Sequence, residues 1–470
     1  MLVALARPAT TRRTFLLGLT TGVVYFAGTL YWITGVMAIY GGLSWWVAVV
    51  LNVAMVFFLA LFPAVFALVM RQGLATFGAQ ALAAAPLVWV ATELGRTYIL
   101  TGFPWVLLGY SQVEVLPIAQ LASVFGVYGL SALVAAVSAA AANIVVGEPG
   151  QRLRPVLAVA ALLIVVTTWG ARRAAAAEWT HAGEPVRVGL VQGNVDQAQK
   201  WDPARSEFIF NNYLLMTQQA IKQGAQLVLW PESSTPFNFE ESRDRALAER
   251  VRALARQARV PILVGSDQLD HSVSPPRYFN AAFLVNEEGA TAAVYRKMHL
   301  VPFGEFVPFK SVLFFAAPLV ESVSDFSAGE TPVLLPVGGH RISTSICYEI
   351  VYPNPVRQFV ADGSELLTTI TNDAWFGPTS APYQHFAMAS MRAIEQGRYL
   401  VRSANTGISG IVDPYGRVLE RSPIYEPAVI VGEARFLKTM TIYTRIGDVV
   451  AYASVVISAA MLVLARRRTA

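Results

Sequence analysis

Three residues in the second half of the chain have the types that covalent catalysis needs. These are Glu232, Lys297 and Cys347. Together a carboxylate, an ammonium and a thiol can take a proton, hold developing negative charge and attack an electrophilic carbon. Glu232 follows the apolar run Leu227-Val228-Leu229-Trp230-Pro231. Proline cannot extend a β-ladder, so the run stops there and leaves the carboxylate at a strand tip beside a sheltered aromatic. Such a setting can raise a carboxylate pKa and suits a general base, though a single glutamate is more often a cap or a surface residue. Lys297 opens Lys297-Met298-His299-Leu300-Val301-Pro302-Phe303-Gly304-Glu305-Phe306-Val307-Pro308, a loop too apolar for an ordinary exposed connection. The lysine is either a fixed cation, with Glu305 turning into the same site, or a surface residue beside a loop packed on membrane or core. Cys347 ends the run Ile342-Ser343-Thr344-Ser345-Ile346, with Glu349 two residues on. It is the only cysteine, so no intramolecular disulfide can form. A turn after the strand gives the exposure a nucleophile needs, and a nearby lysine would favour the thiolate. The commoner fate of a lone cysteine is a small buried hydrophobe.

The elements that must position these groups lie between about residues 180 and 440, where charge returns to ordinary levels. Val186–Val191, Gln226–Trp230, Pro261–Gly265, Ala281–Val285, Arg341–Ile346, Leu366–Thr371, Leu400–Ser403 and Ala428–Gly432 read as strands. Residues 203–223, 241–258 and 386–397 carry helical periodicity. Such alternation predicts a layered α/β domain with a core of its own. Each reactive residue then falls at a strand end or in a loop, where rigid scaffolds place function.

The rest of the chain belongs in a bilayer. The whole is 54% hydrophobic and 14% charged, with a mean hydropathy of +0.47, against about 25% charged in soluble domains. Apolar stretches near 14–39, 45–70, 76–95, 117–146, 154–170 and 447–466 predict about six spans. Arg172–Glu178 reads as a linker. Arg7, Arg12, Arg13, Arg71, Arg152, Arg154 and Arg466 to Arg468 fall on one side if the spans alternate, which places the α/β domain away from the cytoplasm. Thr11-Arg12-Arg13-Thr14-Phe15 is similar to a twin-arginine signal, but without a following cleavage site it reads as an anchor for the first span. The net charge of +5 is modest and its arginines flank apolar segments, so the sequence predicts no nucleic-acid partner. His299 and His385 lack metal-ligand companions at a recognisable spacing, so they read as structural and no metal is expected.

Trp230-Pro231-Glu232, Lys297 with downstream Pro302-Phe303-Gly304-Glu305, and Cys347-Tyr348-Glu349 resemble the nitrilase superfamily. Further motifs resemble its membrane-bound branch, the apolipoprotein N-acyltransferases. These are Val191-Gln192-Gly193-Asn194-Val195, Lys200-Trp201-Asp202, Thr371-Asn372-Asp373-Ala374-Trp375-Phe376-Gly377, Gln384-His385-Phe386 and Ser403-Ala404-Asn405-Thr406-Gly407-Ile408-Ser409. Thr101-Gly102-Phe103-Pro104-Trp105 and Gly109-Tyr110-Ser111-Gln112 match in the membrane part, and the likeness covers roughly residues 22–450. The resemblance implies a helical transmembrane bundle plus an α/β nitrilase-like αββα sandwich domain. The expected parts are a bundle of about five helices over 1–174, a catalytic domain over 180–440 and a last helix over 445–466. It implies that Cys347 attacks the sn-1 ester of a phospholipid to form a thioester, with Glu232 as base and Lys297 as oxyanion stabiliser. The acceptor would be the amine of a diacylglyceryl-cysteine at a lipoprotein N-terminus. Glu305 and Glu349 would support the triad, the Tyr348 backbone N–H would be a second oxyanion donor, and Trp201 would engage substrate or else pack in the core. Neither cofactor nor metal is implied, and the setting would be a bacterial inner membrane with the catalytic domain on the periplasmic side. The family usually carries about eight spans; the two fewer here would be missing from the amino end. By composition, Val301–Pro308 and Phe306–Phe315, including Phe314, form loops that dip into lipid or act as lids. The competing readings are a membrane-tethered amidase with the same triad, and a receptor or transporter with a degenerate catalytic fold. Few intramembrane charges beyond Glu93 and Arg96 argue against the latter.

Overall fold

The computed structural model describes residues 1–197, 199–306 and 326–469. The chain forms two compact units, Met1–Gly35 with Ser44–Ala176 and Thr441–Ala470, and Val36–Leu43 with Ala177–Met440. Four described helical stretches, almost wholly within the first unit, are long and apolar enough to cross a membrane: Trp45–Thr101, Ala122–Val146, Leu153–Thr180 and Val449–Arg468. Thr11–Thr29 and Ile33–Tyr40, bent by 61°, make a fifth if the pair is one span. The separate stretches expected at 45–70 and 76–95 belong to one run of 57 residues. Within it helix Ala85–Tyr98 packs on helix Trp45–Phe77, with the Phe66 and Trp89 rings 5.3 Å apart. Pro86 sits in the first turn of this second helix, which needs no N–H from proline. The expected linker at Arg172–Glu178 is helical as far as Ala176, since alanine and arginine are strong helix formers.

Among the described residues, Glu93, Arg96 and Asp448 are charged and buried in this unit, and the first two serve its irregular backbone. Glu93 Oε1 accepts from Leu108 N at 2.7 Å and from Trp89 Nε1 at 3.0 Å. Arg96 Nη1 donates to the carbonyls of Phe103 (3.1 Å) and Trp105 (2.7 Å). Non-helical backbone among apolar helices must be satisfied by protein groups, and this pair does so for the Thr101–Gln112 stretch.

The second unit holds two six-stranded sheets. The first contains β1 (Glu184–Gln192), β2 (Leu227–Leu229), β3 (Ile262–Asp270), β4 (Arg277–Val285), β5 (Thr291–Arg296) and, at its edge, β12 (Ala428–Phe436), in the order β12-β1-β2-β3-β4-β5. The second contains β6 (Leu335–Val337), β7 (His340–Ile346), β8 (Leu366–Thr371), β9 (Leu400–Ala404), β10 (Gly410–Val412) and β11 (Val418–Arg421), in the order β11-β10-β9-β8-β7-β6. Each has a parallel centre, β1-β2-β3 and β7-β8-β9, flanked by antiparallel strands. Period-two alternation sends one face of each sheet into a shared core. Leu227 and Leu229 of β2 meet Ile342, Ile346, Ile370 and Val401 there. Val228 and Trp230 point the other way, under helices Pro203–Lys222 and Arg245–Ala258. Helices Pro353–Ala361 and Ala381–Gln396 pack with the second sheet, which completes the αββα layering.

Sequence periodicity gave no strand at β5, β6, β10 or β11 and no helix at Pro353–Ala361. β6 and β10 have three residues each. β11 is exposed throughout and so carries no apolar alternation. The helix contains Pro353 and Pro355, which read as loop but sit harmlessly in its first turn.

A steric constraint ties this scaffold to the reactive residues. A Cβ on Gly265 of β3 would lie 2.1 Å from the Pro231 carbonyl and 2.8 Å from Glu232 Cα. The close approach lets Ser234 N bond to the Gly265 carbonyl at 2.8 Å and fixes the turn carrying Glu232. Gly265→Ala should therefore destabilise the fold by about 1–3 kcal/mol, as overpacking does. A lowered denaturant midpoint would show this, and an unchanged one would mean the Pro231 turn yields freely.

Candidate active site

The second unit brings Glu232, Lys297 and Cys347 together, each just beyond a strand end, β2, β5 and β7 respectively. Lys297 is 1% exposed, and its Nζ lies 2.7 Å from Glu305 Oε1 and 3.3 Å from Glu232 Oε1. An ammonium has three N–H groups; the third has no partner among the described residues. Asn280 of β4 bridges the two carboxylates, with Nδ2 2.7 Å from Glu232 Oε1 and 3.2 Å from Glu305 Oε1. The backbone N–H of Asn372 donates to Glu232 Oε2 at 2.9 Å, and Val301 N to Glu305 Oε2 at 2.8 Å.

Charge within the cluster corrects two expectations. The Glu232 pKa is lowered, not raised: burial pushes it up, but Lys297, the Asn280 amide, Lys200 and the Asn372 N–H outweigh burial. Burial also lowers the Lys297 pKa by itself, yet Glu305, then Glu232 and Cys347, hold the ammonium above its usual range. The Cys347 thiol is pushed up, by burial first and then by the Glu232 charge, with Lys297 opposing. Lysine proximity does not prevail, and the residue is buried at 8% exposure instead of standing open at a turn. These shifts favour a neutral thiol beside an ionised glutamate and an ammonium.

Cys347 occupies the left-handed region, φ +51°, at the step from β7 into a short 3-10 turn, Cys347–Val351. Glu349 pins this step. Its Oε2 accepts from Ile346 N at 2.7 Å, while Oε1 accepts from Tyr295 Oη at 2.8 Å, Met298 N at 2.7 Å and His299 N at 3.0 Å. Burial raises its pKa and the N–H donors oppose that. Glu349 thus joins the Cys347 turn to the segment bearing Lys297. Tyr348 is buried, its hydroxyl accepting from Tyr352 Oη at 3.1 Å. The His299 ring lies 3.8 Å from that of Tyr352, and its pKa is lowered to about 4 by burial and Lys297.

Trp201 is 46% exposed, so it is not a packed core aromatic. Its neighbour Lys200 is the residue that turns inward, Nζ reaching the Glu232 carbonyl at 3.4 Å, with its pKa lowered by burial. Sequence reasoning missed Lys200, Asn280 and the Asn372 N–H. Asn280 did carry a signal, a lone polar residue in the apolar run Phe279-Asn280-Ala281-Ala282-Phe283. The expected lipid-facing loop lies outside the described residues from Val307 through Phe315, Phe314 included.

The paired sheets and this cluster define a carbon-nitrogen hydrolase fold, and residues 187–436 match the carbon-nitrogen hydrolase family. Residues 1–140 match the apolipoprotein N-acyltransferase N-terminal domain. An apolipoprotein N-acyltransferase from Geobacter metallireducens is 41% identical over 463 residues, 97% of this chain and 88% of that one. One from Methylococcus capsulatus is 34% identical over 92% of this chain and 84% of its own. Among solved structures, an amidase from Nesterenkonia sp. shares 24% identity over 55% of this chain and 93% of its own, with a TM-score of 0.42. The chain belongs to the apolipoprotein N-acyltransferase family.

The neutral thiol yields a pH prediction. Because the folded pKa is raised, the thiolate fraction should still be climbing above the ordinary cysteine value of about 8.5. Alkylation of Cys347 by iodoacetamide, followed by intact-protein mass, should accelerate up to tenfold per pH unit between about 7 and 9.5 without levelling. A plateau below about 8.5 would show that Lys297 stabilises the thiolate after all.

Proposed function

We propose that this protein transfers a fatty acyl chain from the sn-1 position of a phospholipid to the N-terminal amine of a diacylglyceryl-cysteine in apolipoproteins. Cys347 is the nucleophile, Glu232 the general base and Lys297 the oxyanion stabiliser. The observation that carries this assignment is the buried Lys297 ammonium, bonded to Glu232 and Glu305 with no third partner among the described residues, beside the sole cysteine. Family membership supplies the reaction class.

In the first step Sγ attacks the ester carbonyl while its proton passes to Glu232. The oxyanion is met by the remaining Lys297 N–H and by the Tyr348 backbone N–H. Collapse expels the lysophospholipid alkoxide, which takes the proton from Glu232 and leaves a thioester on Cys347. In the second step the lipoprotein amine attacks that thioester. Glu232 accepts the amine proton and returns it to the departing sulfur, so the resting state is restored with an amide as product. A thioester keeps most of the acyl-transfer potential of an ester, so these steps draw on no further energy source. Glu305 and Asn280 hold Lys297 and Glu232 at their spacing, and exposed Trp201 stands at the surface where substrate is engaged. Both substrates carry lipid, in keeping with the apolar helices of the first unit. The proposed setting is a bacterial inner membrane with the catalytic unit on the periplasmic side, supported by the arginine bias of the spans.

Incubation with phospholipid alone should add one fatty acyl mass to wild type and none to Cys347→Ala. Release of free fatty acid to water without a stable adduct would instead make the protein a hydrolase. Glu232→Gln should slow formation of the adduct by about 10²–10⁴-fold, the usual worth of a general base. Adduct formation at the wild-type rate would remove Glu232 from that role.

A further inference from the structure

Behind the nucleophile lies a buried polar network that these steps leave unused. His385, on helix Ala381–Gln396, places Nε2 3.1 Å from the Cys347 carbonyl oxygen. Its Nδ1 lies 3.0 Å from Asp373 Oδ1 and 3.1 Å from Arg402 Nη2. Arg402 donates to Asp373 Oδ2 at 2.8 Å and, through Nε, to the Ile408 carbonyl at 3.1 Å. The Thr371 hydroxyl donates to Asp373 Oδ1 at 2.9 Å. His385, Asp373, Arg402 and Thr371 are all fully buried. A carbonyl oxygen only accepts, so the contact with Cys347 requires a proton on His385 Nε2. Burial, then the Arg402 charge, favours the neutral ring. Nε2–H donates to Cys347 in either state of the ring, while Nδ1 accepts from Arg402 in the neutral ring and donates to Asp373 Oδ1 in the charged one, so the ion pair of Arg402 and Asp373 holds the ring in both.

The importance of that bond follows from peptide geometry. The unit joining Cys347 to Tyr348 is planar and trans. Its C=O, held by His385, and its N–H, which belongs to Tyr348, are opposite ends of one rigid plate. Fixing the oxygen fixes the direction of the N–H. A hydrogen bond accepted at the carbonyl also polarises the amide and strengthens the N–H as a donor. The plate needs holding, because Cys347 has φ +51°, a conformation that is strained for a non-glycine residue.

We propose that His385 is a positioning residue for the oxyanion site, holding the Cys347 carbonyl so that the Tyr348 N–H meets the oxyanion of each tetrahedral intermediate. Asp373, Arg402 and Thr371 hold His385 in turn. This role rests on the acyl-transfer reading given above.

Two reactions of the same thiol separate this role from general support. Acylation by phospholipid passes through an oxyanion, whereas alkylation by iodoacetamide displaces iodide at a saturated carbon and forms none. The full chain in detergent, as wild type, His385→Asn and His385→Gln, would be assayed for single-turnover lysophospholipid release and for alkylation rate. Glutamine can reach to donate where Nε2 does; asparagine is too short. His385→Asn should lower acylation about 10²-fold, near the cost of losing one oxyanion donor, with alkylation within about threefold, as the altered step has no oxyanion to stabilise. His385→Gln should recover most of the acylation. Parallel losses in both reactions, or no rescue by glutamine, would overturn the proposal. Should His385→Asn fail to fold, His385→Gln alone decides: acylation within about tenfold of wild type supports the role, and a loss near that of a missing donor, about 10²-fold, overturns it. Wild type that alkylates but never releases lysophospholipid would remove the acyl-transfer reading and this role with it. Wild-type acylation left unchanged by His385→Asn would remove the role alone.

Discussion

The site is organised around one buried positive charge. Taking an ammonium out of water costs several kcal/mol, which only close partners offset. Lys297 has two such partners, Glu305 at 2.7 Å and Glu232 at 3.3 Å. Each carboxylate needs donors of its own, and these come from Asn280 on β4, Asn372 beyond β8 and the backbone of Val301. The cation therefore dictates where four separate chain segments end. It also sets the charge the site tolerates. An added thiolate would sit beside ionised Glu232 in a medium that screens poorly, so the thiol keeps its proton. A transfer from Cys347 to Glu232 during attack moves negative charge without adding any. In the proposed cycle the proton therefore passes to Glu232 as Cys347 attacks.

Glu349 is a second constraint of a different kind. It is two residues from the nucleophile, yet its oxygens serve Ile346 N, Tyr295 Oη, Met298 N and His299 N. One carboxylate thus fixes the end of β7 in the second sheet against the end of β5 in the first. It thereby ties the turn of Cys347 to the segment that bears Lys297. Such a role tolerates little change in side-chain length, because four donors converge on two atoms.

Much of this was legible in the sequence, and what was not has identifiable causes. The apolar run ending in Pro231 and the β-branched, serine-rich run ending in Cys347 marked strand ends, because proline and an abrupt change of residue type are local signals. That Glu232, Lys297 and Cys347 share a site followed from their types and order. Their ionisation did not. Glu232 beside Trp230 reads locally as a carboxylate in apolar surroundings, and its pKa falls only because Lys297, Asn280 and Lys200 arrive from 65, 48 and 32 positions away. Lys200 was passed over for the adjacent aromatic, since sequence does not say which of two neighbours turns inward. The short strands β6 and β10 span too few residues to show a period, and they exist because longer neighbours offer unpaired edges.

One set of groups must serve two chemically different attacks in the proposed cycle, first by sulfur on an ester and then by an amine on a thioester. That is possible because both tetrahedral intermediates place their oxyanion at the same carbon, the acyl carbon, over the same sulfur. Lys297 and the Tyr348 N–H need not move between steps. Only Glu232 changes partner, taking a proton from the thiol in one step and from the amine in the next. A buried thiol suits this division. A thioester formed at an 8% exposed position has few waters near it, and excluding water prevents wasteful hydrolysis of a reactive acyl group. In the proposed cycle the burial that disfavours ionisation of Cys347 also shields its acylated form until an amine arrives, and the general base assigned to Glu232 is what such a thiol requires.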